Sequence, residues 1–129
     1  MKLIFKILLS VILIFILVSV SGIFYLARGL NEGKNIRING IDVSNLNDGI
    51  YNGKYKAGRW KNELNITVKD HKIIKIDIKD DVTFPNTDVS NELFSKVIGK
   101  QNTTVDVISE ATVTSKAYLK SIEDALNNN

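Results

Sequence analysis

The stretch Leu64-Asn65-Ile66-Thr67-Val68-Lys69-Asp70-His71-Lys72-Ile73-Ile74-Lys75-Ile76-Asp77-Ile78-Lys79 decides the fold class. Leu64, Ile66 and Val68 alternate with Asn65, Thr67 and Lys69; Ile74, Ile76 and Ile78 alternate with Lys75, Asp77 and Lys79. Successive strand side chains point to opposite faces, so each run reads as a strand with one apolar face. Asp70-His71 has the length of a two-residue hairpin turn. Histidine tolerates left-handed backbone, so His71 reads as a turn residue.

Upstream, Tyr51, Gly53, Tyr55 and Ala57 share one face of a further strand, followed by a loop at Gly58-Arg59-Trp60-Lys61. Downstream, Asp80-Asp81 reads as a solvated loop. After Pro85 the period changes: Leu93, Phe94, Val97 and Ile98 fall on one face of a short helix, with Ser90 as its expected N-cap and Gly99 as its expected C-cap. The β-branched run Thr103 to Ile108 suggests a short strand. From Thr114 or Ser115 to Leu126 the stripe Tyr118, Leu119, Ile122, Ala125 and Leu126 predicts an amphipathic helix, with 127–129 fraying. The expected fold is α+β: a mostly antiparallel sheet with two packed helices.

Ahead of this domain, Ile7 to Ala27 is an almost unbroken apolar run of about 21 residues, long enough at ~1.5 Å per residue to span a hydrocarbon core of ~30 Å. Lys2 and Lys6 precede it. Its length favours an uncleaved anchor over a signal peptide, although Ser19-Val20-Ser21 has the small-x-small form of a cleavage site. Residues 1–27 therefore read as one transmembrane signal-anchor, 28–47 as a Gly- and Asn-rich linker holding the domain off the membrane, and 48–127 as the domain. Basic residues flank the span on both sides, so charge does not orient it. The tiny N-terminal flank resembles a signal-anchor start, which places the domain outside the cell as a single-pass membrane protein. The chain has no cysteine, so it carries no disulfide and no lipidated cysteine.

The chain holds 17 Lys and Arg against 14 Asp and Glu. Lys2 and Lys6 supply most of that excess, and no basic stripe with interleaved aromatics is present, which argues against nucleic acid as a partner. A single histidine without cysteine argues against a metal site. No nucleophile stands beside an activating base, so no catalytic residue is assigned.

The run Val105-Asp106-Val107-Ile108-Ser109-Glu110-Ala111-Thr112-Val113-Thr114-Ser115 resembles the signature of the FMN-binding domain family, Val-Asp-x-x-Ser-Gly-Ala-Thr-x-Thr-Ser. Asp48-Gly49-Ile50-Tyr51-Asn52-Gly53 is similar to the family's Asp-Gly-x-Tyr-x-Gly opening, and Val68-Lys69-Asp70-His71-Lys72-Ile73 to its Val-x-Asp-Gly-Lys-Ile hairpin. The family's His-Asn-Glu-Thr-Pro-Gly-like segment is missing apart from Pro85. The resemblance implies FMN as cofactor, joined through a phosphoester to Thr112 by a separate FMN transferase. It also implies an electron carrier rather than an enzyme, with a membrane electron donor, an unknown acceptor and the lipid membrane as partners.

The residues can be read for the same chemistry. Thr112 lies at the start of the last helix, where free N–H groups and the helix dipole favour a phosphate. Ser109, Ala111, Thr114 and Ser115 surround it. Tyr51, Tyr55 and Trp60 are candidate walls for the flavin ring. Glu110 stands where the family has Gly, which suggests positive φ or close approach of a ligand. At positive φ a glutamate costs on the order of 1 kcal/mol or more. Its carboxylate either mimics the phosphate, in a degenerate accessory module that has lost covalent flavin, or points to solvent beside an attached one.

Overall fold

The computed structural model describes residues 1–127. Asn128 and Asn129, expected to fray, lie outside the described residues. Asn127, grouped with them, instead ends a helix and donates its side-chain amide to Gly40 O at 3.2 Å.

Three antiparallel strands in the order β1-β2-β3 form the sheet: β1 Gly49–Tyr55, β2 Asn62–Lys69 and β3 Lys72–Asp80. The hairpin turn is where the period places it, with Asp70 and His71 both left-handed at φ 52° and 61°. That pair of positive values is the type I′ geometry whose twist matches the strands. Asp48 Oδ1 accepts the Asp70 N–H at 2.8 Å. Leu64, Ile66 and Val68 are buried as expected. In β3 the apolar alternation misleads at its start: Ile73 is buried and Ile74 is about half exposed. A register shift at Thr67/Val68 sets Val68 opposite Ile73 and Thr67 opposite Lys75, so one extra residue reverses the parity.

Two helices pack on the sheet, α3 Thr87–Lys100 and α4 Thr112–Asn127. Among the described residues the architecture is the α+β arrangement expected. Tyr118, Leu119, Ile122, Ala125 and Leu126 of α4 are buried against Leu64, Ile66 and Val68. Large side chains buried in this way stabilise by ~1.5–3 kcal/mol each. Gly53 permits the closest approach: a Cβ there would sit 1.9 Å from Ser121 O and 2.7 Å from Ala125 N. Phe94 of α3 meets Tyr118 edge to face, with centroids 5.4 Å apart.

Several local expectations are corrected. The N-cap of α3 is Asn86, whose Oδ1 accepts from Asp88 N and Val89 N, while Ser90 lies inside the helix. The helix runs past Gly99 and ends at Gln101, left-handed at φ 56°, whose side chain bonds both Ile73 N and Ile73 O. Thr103 to Ile108 forms no strand. Its polar groups are met locally or by α4: Thr103 Oγ1 donates to Glu123, and Ile108 N–H donates to Ser115 Oγ.

Before the sheet, α1 Lys2–Ala27 is fully exposed and is the one helix among the described residues long and apolar enough to cross a membrane. The segment 28–47 is no free spacer. It carries α2 Leu30–Lys34, buries Gly33 against Val113 of α4, and contributes Ile41 and Leu46 to the core. Buried Glu123 accepts the N–H groups of Asn39 and Gly40 at 2.8 and 2.9 Å, fixing this segment to α4.

Candidate functional site

The site is built around the N-terminus of α4. Ala111 O accepts the first helical bond, from Ser115 N at 2.8 Å, so the helix begins at Thr112 rather than at Thr114 or Ser115. Thr112 is thus the first helical residue, with its side chain exposed, and the first-turn N–H groups have no intrahelical acceptor. Immediately before it, Ala111 N donates to Ile108 O at 3.0 Å, closing the turn Ile108-Ser109-Glu110-Ala111. Glu110 sits at φ 64° in the third position of that turn. Positive φ there is what makes a type II turn call for Gly or Asn. The backbone at Glu110 is thus in a conformation that glycine adopts freely and glutamate does not.

Ser115 holds the turn rather than facing a ligand: it is buried, and its Oγ accepts from Ile108 N at 3.1 Å. Ser109 and Glu110 are exposed, and Ala111 is partly buried. Tyr51 is not brought to this end. It lies beyond Gly53, which faces Ser121 and Ala125 in the C-terminal half of α4, and its hydroxyl donates to Asn47 O. Tyr55 lies nearer; its buried hydroxyl has no partner, and burial followed by the negative charge of Glu32 raises its pKa.

Trp60 belongs to the core at 5% exposure. Its neighbours were not signalled by sequence spacing. The Arg59 guanidinium stacks over the Trp60 ring at 4.3 Å and lies 5.5 Å from the Phe84 ring, which is 58% exposed. Arg59 belongs to a short 3-10 turn, Gly58–Trp60, and its carbonyl accepts from Thr83 N at 2.9 Å. That bond brings the 82–84 loop beside the helix start. Arg59, Trp60, Val82, Phe84 and Thr114 line a cleft of about 80 Å³, the room of a few waters. Arg59 Nε is buried without a hydrogen-bond partner. Asp81, expected to be solvated, instead accepts from the Tyr118 hydroxyl and from Val82 N. Burial first, then this bond and the Asp81 charge, hold the Tyr118 phenol well above its usual pKa.

These groups suit a phosphate ester better than a buried ring. An exposed hydroxyl, free helix N–H groups and an unpaired guanidinium donor answer a phosphate. The cleft offers the ring only a surface, the face of Phe84.

The profile of the FMN-binding domain family matches residues 20–127, and the chain belongs to that family. FMN is its cofactor, and with α1 the molecule is a membrane-anchored FMN-binding protein. An uncharacterized protein of Treponema pallidum (strain Nichols) is 30% identical over 84 residues, which is 63% of this chain and 23% of that protein. The chain thus spans about a quarter of the length of this curated relative.

Proposed function

We propose that this protein is an extracytoplasmic electron carrier whose FMN is joined through a phosphoester to Thr112. The carrying observation is the exposed Thr112 hydroxyl at the first residue of the 16-residue α4, behind a turn that keeps glycine geometry at Glu110. A phosphate there would lie against the first-turn N–H groups of α4 and within the positive end of its dipole. The Arg59 guanidinium would lend its charge from the edge of the cleft, and Phe84 a face for the ring. The bound flavin would take up and release electrons; the protein would hold it, tune it and act as no catalyst on its own. An FMN transferase, a membrane electron donor and a separate acceptor would be its partners.

Intact-mass measurement of the full chain, co-expressed with a magnesium-dependent FMN transferase, tests this. The expected gain is one FMN less one water, absent in Thr112→Ala. No gain, with the transferase active on a second substrate, would overturn covalent attachment.

Glu110 supports a second reading, an accessory module without covalent flavin, because an exposed carboxylate at a helix N-terminus is itself favourable. On that reading added FMN leaves the melting temperature unchanged; a clear rise counts against it.

A further inference from the structure

The end of the anchor and the domain touch backbone to backbone. Gly29 (φ 83°) and Gly58 (φ 56°) face each other's chains: a Cβ on Gly29 would lie 2.5 Å from Ala57 O, and one on Gly58 would lie 1.9 Å from Arg28 O. Beside this crossing is a cavity of about 220 Å³ lined by Tyr25, Arg28, Gly58, Arg59 and Thr83. Its lining residues are two arginines, a tyrosine, a threonine and a glycine, with no acidic residue among them. Neither arginine forms an ion pair among the described residues. Arg59 is pinned between two rings with its buried Nε unpaired. A buried donor without an acceptor is destabilising, and two cations side by side repel unless an anion joins them.

Position identifies the anion. Tyr25 lies in the last turn of α1, and Arg28 follows its final residue, Ala27. Aromatic and basic residues at the end of an apolar span sit at headgroup level. The cavity has roughly seven times a water's share of liquid volume, ample for a phosphodiester. Arginine's fork suits phosphate oxygens.

We propose that this cavity binds the phosphate of an anionic membrane phospholipid. Arg59 borders both this cavity and the cleft at the start of α4, but Arg28 and Tyr25 border this cavity alone, so Arg28 separates the proposal from the flavin reading, which its failure leaves standing. The purified full chain in neutral detergent is titrated with dihexanoyl-phosphatidylglycerol, dihexanoyl-phosphatidylcholine, inorganic phosphate or FMN. Fluorescence of Trp60, the only tryptophan, reports on Arg59, and native mass spectrometry counts bound lipid. Phosphatidylglycerol should bind saturably, one per chain and at least about tenfold more tightly than phosphatidylcholine. Arg28→Gln and Arg59→Gln should each weaken it about tenfold, the scale of one charge-assisted hydrogen bond. Lys69→Gln/Lys72→Gln, at the opposite end of the sheet, should leave it unchanged. Arg28 is exposed and its side chain makes no bond, so its variant decides the matter even where Arg59→Gln misfolds. Equal binding of the two lipids, or unchanged affinity in Arg28→Gln, overturns the proposal. A response to inorganic phosphate or FMN matching that to phosphatidylglycerol overturns the lipid as the source.

Discussion

Two turns of this protein hold a non-glycine residue in left-handed backbone where the family pattern has Gly: the hairpin at His71 and the turn before α4 at Glu110. The replaced positions are alike in backbone, with φ 61° at His71 and 64° at Glu110, and the hairpin adds Asp70 at 52°. The surroundings differ. His71 stands exposed at the far end of the sheet, held by an exposed bond from Asp70 N to Asp48. Glu110 sets a carboxylate two residues from the exposed Thr112 hydroxyl, in a turn fastened from inside by buried Ser115. The first replacement bears on stability; the second also places a negative charge beside the proposed attachment residue, Thr112.

The largest effect that sharpens this contrast is Tyr118→Phe. It removes a hydrogen bond to a carboxylate and should cost ~1.5–3 kcal/mol. Amide exchange should quicken over 81–84 and 108–112 and stay slow over the 69–73 hairpin. The raised phenol pKa gives a pH signature. An unfolded tyrosine ionises near ~10, so this contribution is complete below that pH and falls as pH rises towards the higher folded value. Denaturant midpoints should therefore drop more steeply above pH ~10 in the native protein than in Tyr118→Phe.

Ser115→Ala strands the buried Ile108 N–H and should cost about 2 kcal/mol, against about 0.5 kcal/mol for Asp48→Ala at the exposed hairpin. Equal losses would break the contrast. Glu110→Gly and His71→Gly should each stabilise by about 1 kcal/mol through relief of positive φ, and the distant sites should add within ~0.5 kcal/mol. Only Glu110→Gly should raise the rate of flavin transfer to Thr112; an equal rise in His71→Gly would assign the effect to stability. The smallest effect is ionic. Raised salt should quicken transfer a few-fold in the native chain by screening Glu110, and should not do so in Glu110→Gly.

The sheet and α4 were legible because their apolar periods, 2 and 3.6, act locally. Leu64 to Val68 and Tyr118 to Leu126 meet the core on the faces that those periods name. The parity at Ile73 and Ile74 was not, because a bulge depends on the partner strand. Thr103 to Ile108 has strand propensity but finds its partners in Glu123 and Ser115 rather than in a strand edge. Residues 28–47 look like a linker because their anchoring atoms, Glu123 and Val113, lie about 80 residues away. At the candidate site, the positive φ of Glu110 was one of the two readings that the signature's Gly offers. The stack of Arg59 between Trp60 and Phe84 could not be read, since the chain meets itself there across 24 positions without a repeating pattern.

The crossing of Gly29 with Gly58 leaves the anchor no slack. A domain on a loose tether sweeps a volume and reaches partners at different heights. With α1 seated in a bilayer, the crossing fixes how far Thr112 stands from the end of the span. On the proposed reading, encounters with a membrane partner would become a search in two dimensions, governed by lateral diffusion, and the partner would have to present its own reactive group at the matching level.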